Sequence, residues 1–419
     1  FAQNYRENII QRRVEDYGTA EIIDSMNQLG MLPTRNFQKG HIEGAENLSG
    51  ETMTDTILKR TEGCYACAVG CKRVVEVNDA FQVDPKYGGP EFETLAALGT
   101  NCEIIDLKAV AKANELCNKY GLDTISTGSS IAFAMECFEK GIIDEEDTGG
   151  IKLEFGHSDA MLKMIEKIAN REGLGKILGD GVKRAGEKIG EESKKFVVEG
   201  KGEELAMHDG RTKGMVGFGY AVGPLGGDHV VVEHDSDFNQ SAPETFVEQA
   251  KPLGLLERIE LTGMNPRKMR HFCYLEKVFS FMDSLGLCVF TFAPVRSFTF
   301  DRLVQTFNAI TGWNSSLWEL MKQGEKRINM FRAFNVREGF TREDDTLPDR
   351  MFEPIKNGNM QGTSVSKENL EAMKELYYNM RNWDPETGKP KKAKLIELDL
   401  EWVSEELEST PHKKSNKMV

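Results

Sequence analysis

The chain has 419 residues, of which 39% are hydrophobic, and its 53 basic and 67 acidic residues give a net charge of −14. These values are typical of a globular protein with more than one domain, and they exclude disorder over most of the chain. The acidic balance argues against general binding of nucleic acid or anionic membranes. No apolar run approaches the roughly 18 residues of a membrane-spanning helix. Because the chain begins with Phe1 rather than Met, we expect it to be part of a longer protein.

Helical periodicity dominates the pattern of apolar residues. Asp106 is a predicted N-cap, and Gly121, Gly141 and Gly173 are predicted helix stops. The predicted helices cover residues 106–120, 126–140, 158–172 and 370–379. The predicted strands are few and short, and they cover residues 73–77, 196–199 and 230–232. The fold class is therefore predicted to be mainly α.

The pattern changes once along the chain in a way that suggests a domain boundary. Residues 190–203 are charged, contain glycine and show no periodicity. We therefore predict two helical domains, residues 1–199 and residues 200–419, with the boundary near residue 200.

Three of the eight cysteines form the most specific chemical signal. Cys64, Cys67 and Cys71 follow the spacing C-x2-C-x3-C, and thiolates at this spacing can hold three corners of an iron–sulfur cube. Structural zinc, which usually shows two C-x2-C or C/H pairs, and simple core thiols are the alternatives. The fourth cluster ligand would be distant in sequence, and Cys288 is the candidate. Sparse cysteine usage predicts a reducing, cytoplasmic environment, and the remaining cysteines, Cys102, Cys117, Cys137 and Cys273, are predicted to be buried thiols.

One short motif occurs twice, once on each side of the predicted boundary. NKYGLD at 118–123 and DSLGLC at 283–288 share the form (Asp/Asn)-x-x-Gly-Leu-(Asp/Cys). Cys288 closes the second copy, which is why it is the candidate for the fourth cluster ligand.

Longer stretches of the sequence resemble the tungsten-containing aldehyde:ferredoxin oxidoreductase family. They are GCYACAVGC at 63–71, GGPEFETLAALGTNCEI at 88–104, GLDTISTGSSIAFAMECFEKG at 121–141, KGEELAMHDGR at 201–211, DSLGLC at 283–288, REGFTREDDTLPDR at 337–350 and YYNMRNWDPETGKP at 377–390. The resemblance spans residues from about 1 to 405. It implies the second and third domains of the family, without its N-terminal pterin-binding domain, packed around a cofactor site.

The resemblance also implies the cofactors and the reaction. Tungsten, or molybdenum in its place, would lie between two pterins, beside one [4Fe-4S] cluster bound by Cys64, Cys67, Cys71 and Cys288. The two short motifs would contact the pterins through Asn118, Gly121, Leu122, Asp123, Asp283, Gly286 and Leu287. The implied activity is oxidation of a small aldehyde to a carboxylic acid, with electrons passing through the cluster to ferredoxin. The resemblance also allows the chain to form a homo-oligomer.

Two residues match the family's catalytic positions. Glu93 matches the active-site glutamate, with Glu91 as the fallback, and His229 matches the histidine near the metal, with His234 as the fallback. Glutamate and histidine suit proton transfer and carbonyl polarisation once burial tunes their pKa. Taken alone, a carboxylate at a helix start and an ordinary core histidine are the structural alternatives.

The sequence departs from the family at three positions near these motifs. Asn118 stands where the family tends to have Asp, Gly210 where it usually has Pro, and Asp228 where Cys precedes the histidine. The change at Asp228 could alter the choice of substrate. Two other functions are kept as alternatives. One is an aryl-CoA reductase-like relative on the same fold. The other, suggested by the missing N-terminal domain, is an electron-transfer subunit that carries only the cluster.

Overall fold

The computed structural model describes residues 9–79, 81–292 and 296–409. Within these ranges the chain forms nineteen α-helices and six short strands, and the strands pair into three antiparallel two-stranded sheets. The prediction of a mainly α fold is confirmed. Across the described residues, no helix combines the length and the apolar character needed to cross a membrane.

The helices vary from single turns to about six turns in length. In chain order they are α1 (Ile9–Tyr17), α2 (Ile23–Gln28), α3 (Gly50–Thr56), α4 (Phe92–Thr94), α5 (Leu107–Tyr120), α6 (Thr124–Glu139), α7 (Ser158–Asn170), α8 (Leu174–Leu178), α9 (Val182–Ile189), α10 (Gly214–Val222), α11 (Glu244–Ala250), α12 (Pro266–Ser284), α13 (Val289–Phe292), α14 (Phe300–Thr311), α15 (Leu317–Arg337), α16 (Asp349–Phe352), α17 (Lys367–Arg381), α18 (Lys392–Glu397) and α19 (Glu401–Ser409). The strands are β1 (Leu58–Glu62), β2 (Lys72–Val75), β3 (Val77–Asn78), β4 (Gln82–Val83), β5 (Glu199–Gly200) and β6 (Glu203–Glu204).

The described residues form two compact units. The first contains the chain up to Thr212 together with Leu347–Ser364, and the second contains the rest. The later segment joins the first unit because buried Arg350 pairs with buried Glu136 at 2.8 Å. The predicted division at residues 199 and 200 stays a prediction, since packing units and domains of a family need not coincide.

The core of the first unit surrounds helix α6. An added Cβ at Gly128 in α6 would lie 2.5 Å from the carbonyl carbon of Ala97, so only glycine allows this approach. Ala97 belongs to a π-helical turn, Leu95–Gly99, that continues directly from α4. Helices α5 and α7 pack around the same core. The close packing of α6 therefore fixes α4 and its side chains.

The second unit is built on the long helices α12 and α15. They approach so closely that an added Cβ at Gly324 would lie 2.0 Å from the carbonyl oxygen of Lys277. Helix α17 packs beside α12, where the hydroxyl of Tyr377 donates to Glu276 at 3.0 Å and Arg381 pairs with the same carboxylate. These buried polar contacts tie α17 to α12 at one position along both helices.

The four predicted helices are all present, and their ends differ by a few residues from the predictions. Asp106 caps α5 through the amides of Lys108 and Ala109, and Gly121 ends it with φ of 70°. The strand predicted over residues 73–77 is confirmed as β2 and β3, whereas 196–199 reaches strand conformation only at Glu199. The strand predicted over residues 230–232 is wrong, because these residues form irregular turns without a pairing strand.

Candidate functional site

The loop of residues 63–71, here called the cysteine loop, joins strands β1 and β2. The amide of Cys67 donates to the carbonyl of Cys64 at 3.0 Å, and the amide of Val69 lies 3.5 Å from Cys67 Sγ. The left-handed backbone at Ala66 (φ 55°) and Gly70 (φ 62°) provides the tight turns. An amide directed at a sulfur stabilises a thiolate, so the local structure is suited to a metal–thiolate site.

Solvent exposure divides the eight cysteines into two groups of four. Cys102, Cys117, Cys137 and Cys273 are buried, as predicted. Burial raises the pKa of Cys117 and Cys137 to about 12 and that of Cys273 to about 11. The other four are Cys64 and Cys288, which are exposed, and Cys67 and Cys71, which are partly exposed. These four are the predicted cluster ligands.

The spacing of the sulfurs in the cysteine loop bears on the choice between a cluster and zinc. The sulfurs of Cys64, Cys67 and Cys71 are all described, and they do not all lie within 4.8 Å of one another. Around one tetrahedral zinc with bonds of about 2.3 Å, sulfurs would be only about 3.8 Å apart. The three sulfurs are therefore not arranged as a closed tetrahedral zinc site, and the iron–sulfur cluster stays a prediction. Cys288 lies in the second unit, and its role as the fourth ligand stays a prediction.

Glu93 is held in place by two contacts from one segment of the first unit. Its Oε2 accepts a hydrogen bond from the amide of Met207 at 2.7 Å, and its Oε1 lies 3.3 Å from His208 Nε2. His208 is only 4% exposed, and its ring packs on Phe92 with centroids 5.0 Å apart. The carboxylate therefore has a defined orientation at the start of α4.

The segment that contacts Glu93 is itself fixed by a buried ion pair. Arg211 pairs with Asp209 at 2.6 Å, and both side chains are almost fully buried. Arg211 also donates to the carbonyls of Arg350 and Glu353 at 3.3 and 3.2 Å. The ion pair therefore anchors the backbone directly after His208.

Glu91, the fallback for Glu93, has a different environment. Its carboxylate accepts a hydrogen bond from the hydroxyl of Thr19, which also accepts from the amide of Phe92 at 2.8 Å. Burial raises the pKa of Glu91, and the contact with Thr19 and the charge of Arg73 only partly oppose this effect. This arrangement ties Glu91 to the start of α4, and its role as the fallback for Glu93 stays a prediction.

His229 and His234 lie close together in the second unit, with ring centroids 6.0 Å apart. Lys213 Nζ lies 3.1 Å from His234 Nδ1, and His234 Nε2 lies 3.0 Å from the carbonyl oxygen of His229. A protonated lysine only donates, so His234 accepts at Nδ1 and donates from Nε2 to that carbonyl. Both ring nitrogens of His234 are thus engaged, and it orients the backbone at His229.

Burial lowers the pKa of His229 to about 4, and Asp228 opposes this shift while Lys213 adds to it. Burial, Lys213 and His229 together lower the pKa of His234 well below its ordinary value. Both imidazoles are therefore neutral near pH 7. A neutral His229 can donate one hydrogen bond, which is the property needed to polarise a carbonyl oxygen.

The two copies of the short motif have the same local structure, a turn that ends a helix. The amide of Leu122 donates to the carbonyl of Cys117 at 2.9 Å, and the amide of Leu287 donates to that of Met282 at 3.0 Å. Gly121 and Gly286 have φ of 70° and 66°, and an added Cβ at either would have no atom within 4 Å. The recurrence is therefore structural, and the space beside each glycine is open.

The polar residues of the two motifs are engaged in local contacts. Asn118 donates to the carbonyl of Tyr87 at 2.8 Å, and Asp123 caps α6 through the amide of Ser126 at 2.7 Å. Asp283 pairs with Arg327 at 3.1 Å, and burial raises its pKa. These contacts explain part of the motif without a ligand, so the pterin contacts of all seven motif residues stay predictions.

A cavity of about 1300 Å³ lies within the second unit and reaches the second motif. Asp283 and Leu285 line it, together with aromatic side chains that include Trp313, Phe331 and Phe334. The volume exceeds the usual upper range for small-molecule sites, so a large ligand could enter it.

The signal for His208 in the sequence is weak. It lies in the stretch HDGR, which has no helical or strand periodicity, and its partner Glu93 is more than a hundred residues away in the chain. Only the placement of the stretch KGEELAMHDGR against α4 brings the two side chains together.

Comparison with known proteins identifies the family. Residues 1–400 match the family model described as aldehyde ferredoxin oxidoreductase, domains 2 and 3. The tungsten-containing aldehyde ferredoxin oxidoreductase of Pyrococcus furiosus is 35% identical over 387 residues, which is 92% of this chain and 60% of the relative. The enzyme of the same name from Pyrococcus horikoshii is 34% identical over 390 residues, with the same shares.

More distant likenesses extend the comparison. A protein of Pyrococcus furiosus named aliphatic sulfonate oxidoreductase, WOR-like subunit, is 28% identical over 88% of this chain and 55% of its own. The active site complex BamBC of benzoyl coenzyme A reductase, solved with 1,5-dienoyl-CoA, has a TM-score of 0.71 at 19% identity. It covers 96% of this chain and 65% of that one, and it shows a likeness of fold.

The predicted resemblance is confirmed, although the chain spans only about 60% of the length of the tungsten-containing relatives. The match to domains 2 and 3 runs through the cysteine loop, Glu93, His229 and both short motifs. The chain belongs to the aldehyde ferredoxin oxidoreductase family.

Proposed function

We propose that this chain, within a longer protein, oxidises an aldehyde to a carboxylic acid and passes the electrons to ferredoxin. The reaction balances as aldehyde plus water giving carboxylate, three protons and two electrons, which ferredoxin accepts one at a time. The observation that carries the proposal is the division of the cysteines. The four predicted cluster ligands are the four that are not buried, whereas the other four are enclosed in the core.

In this proposal Cys64, Cys67, Cys71 and Cys288 bind one [4Fe-4S] cluster. The short motifs and the cavity beside Asp283 hold part of a tungsten or molybdenum bis-pterin group. When bound, that group supplies the two-electron acceptor for the substrate. The open space beside Gly121 and Gly286 supports this assignment, because a flat ring system must approach the backbone closely.

The chain's own residues position the substrate and handle protons. Neutral His229 donates a hydrogen bond to the carbonyl oxygen of the aldehyde, which makes its carbon more electrophilic. Glu93 accepts a proton as water adds its oxygen to that carbon and the carboxylate forms. Met207 and His208 keep the Glu93 carboxylate in one orientation, so proton transfer needs no prior reorganisation.

The proposal is tested with Glu93→Gln in the intact protein, assayed against a panel of aldehydes with a viologen dye as electron acceptor. Removal of a general base typically costs a factor of about 10² to 10⁴ in rate. We expect kcat to fall by at least about 10² while metal content stays unchanged. Glu154→Gln is the matched control, because Glu154 belongs to the same unit and its side chain is 40% exposed. A Glu93→Gln protein with normal kcat would refute the role of Glu93.

The substrate panel also tests the alternative functions. An aliphatic sulfonate belongs in it because of the relative with that name, and an aryl-CoA thioester because of the likeness to benzoyl coenzyme A reductase. Turnover of one of these without turnover of any aldehyde would move the function to that class. An electron-transfer subunit would contain iron and oxidise none of them. A cytoplasmic location and a homo-oligomer stay predictions.

A further inference from the structure

A buried cation lies directly behind the cysteine loop. Arg73, on β2 and two residues after Cys71, is 2% exposed. Its guanidinium donates to the carbonyl of Gly70 in the loop at 2.6 Å, and to the carbonyls of Asp16 and Glu15 at 2.8 and 2.9 Å. Its hydrogen-bond partners are neutral carbonyls. The carboxylates of Glu91, Asp16 and Glu15 act on its charge, but among the described residues none forms an ion pair with it, so its positive charge is only partly offset.

The packing leaves this side chain little freedom. Gly18 has φ of 67°, and an added Cβ there would lie 3.0 Å from the carbonyl oxygen of Cys71 and 3.1 Å from Arg73 Cγ. On another side, an added Cβ at Gly89 would lie 3.1 Å from the carbonyl oxygen of Arg73. The absence of side chains at Gly18 and Gly89 thus lets the neighbouring backbone pack against Arg73. This packing keeps the guanidinium at a fixed position beside the cysteine loop.

We propose that Arg73 is a positioning residue that raises the reduction potential of the cluster bound by the cysteine loop. One-electron reduction adds a negative charge to the cluster, and a fixed cation beside it favours that reduced state. Because Arg73 is buried, its charge is screened by solvent and salt less than a surface charge would be. The hydrogen bond to Gly70 also orients the loop. The electron comes from substrate oxidation and leaves to ferredoxin, so Arg73 undergoes no chemistry. This inference rests on the proposed cluster.

The test compares three variants of the intact protein by iron analysis and by a redox titration followed with EPR. Arg73→Gln removes the charge, Arg73→Lys keeps it without the planar fork, and Arg60→Gln is the control. Arg60 belongs to the same hairpin, but its side chain is 50% exposed and pairs with Glu62. We expect Arg73→Gln to disfavour the reduced cluster about tenfold, a shift of about 59 mV to lower potential for one electron. Arg73→Lys and Arg60→Gln should stay near the wild-type potential.

A loaded Arg73→Gln protein with the wild-type potential would overturn the inference and leave the proposed function intact. Absence of iron from the wild-type protein would instead refute the proposed function. If Arg73→Gln fails to bind the cluster, the reduction potential of Arg73→Lys tests the inference instead. A wild-type potential in that variant supports the inference, whereas a lowered potential, or failure to bind iron, shows that charge is not the cause.

Discussion

The contact between His208 and Glu93 allows a quantitative prediction. His208→Phe keeps a ring of similar shape, so the packing on Phe92 at 5.0 Å is retained while the nitrogen 3.3 Å from Glu93 Oε1 is lost. The two atoms lie within ion-pair distance but without hydrogen-bond geometry. Removing one partner from a buried polar contact costs about 1 to 3 kcal/mol, and the lower part of that range, about 1.5 kcal/mol, applies to a contact of this kind. That energy corresponds to a factor of about ten in rate.

The assay is kcat/KM for aldehyde oxidation by the intact protein with a viologen acceptor. We expect a fall of about tenfold in His208→Phe and a smaller fall in His208→Gln, because the amide of Gln can still donate. His157→Phe is the control, since His157 is half exposed and belongs to the same unit. A folded, metal-loaded His208→Phe protein with the wild-type kcat/KM would refute the positioning role of His208.

Two predictions concern stability. Burial lowers the pKa of His229 from 6.5 in the unfolded chain to about 4 in the folded protein. Between these pH values only the unfolded chain binds the proton. The free energy of unfolding should therefore fall by up to about 3 kcal/mol as the pH drops from 7 to 4. The free energies of unfolding of the wild-type protein and of His229→Gln are measured by urea unfolding at pH 7.5 and 4.5. The variant should lose less stability than the wild type between these pH values, and equal losses would contradict the argument. Gly324→Ala should lower Tm clearly, because the new methyl group would lie 2.0 Å from the carbonyl of Lys277 and overpacking costs about 1 to 3 kcal/mol. Met330→Ala, at an exposed position of the same helix, is the control and should change Tm little. Equal Tm values for the two variants would show that α12 and α15 can move apart without a loss of stability.

The elements that the sequence predicted well are those with local causes. Asp106 caps α5 and Gly121 ends it, because capping depends on residues within one turn. The sequence does not indicate strand β1, because its residues are polar and mostly exposed, and the strand exists only through pairing with β2. The opposite error occurred at Val230–Val232, which the sequence predicts as a strand although no partner strand reaches it.

In the candidate site, too, the sequence reveals features with local causes and misses those that depend on long-range contacts. The spacing of Cys64, Cys67 and Cys71 is visible in the sequence because the three ligands share one loop. The partner of Glu93 is not visible, because His208 approaches from a distant part of the chain. Arg73 was included in a predicted strand, but its burial and its carbonyl partners depend on α1 packing behind the loop. Long-range contacts of this kind require the folded structure.

The measurement that tests the central claim most directly is the metal content of the intact protein, combined with EPR of the reduced state. The account predicts four irons and one tungsten or molybdenum per chain, with the signal of a reduced [4Fe-4S] cluster. Cys288→Ser should lower the iron content, whereas Cys137→Ser, at a buried cysteine, should leave it unchanged. Zinc in place of iron, or iron without tungsten or molybdenum, would contradict the account.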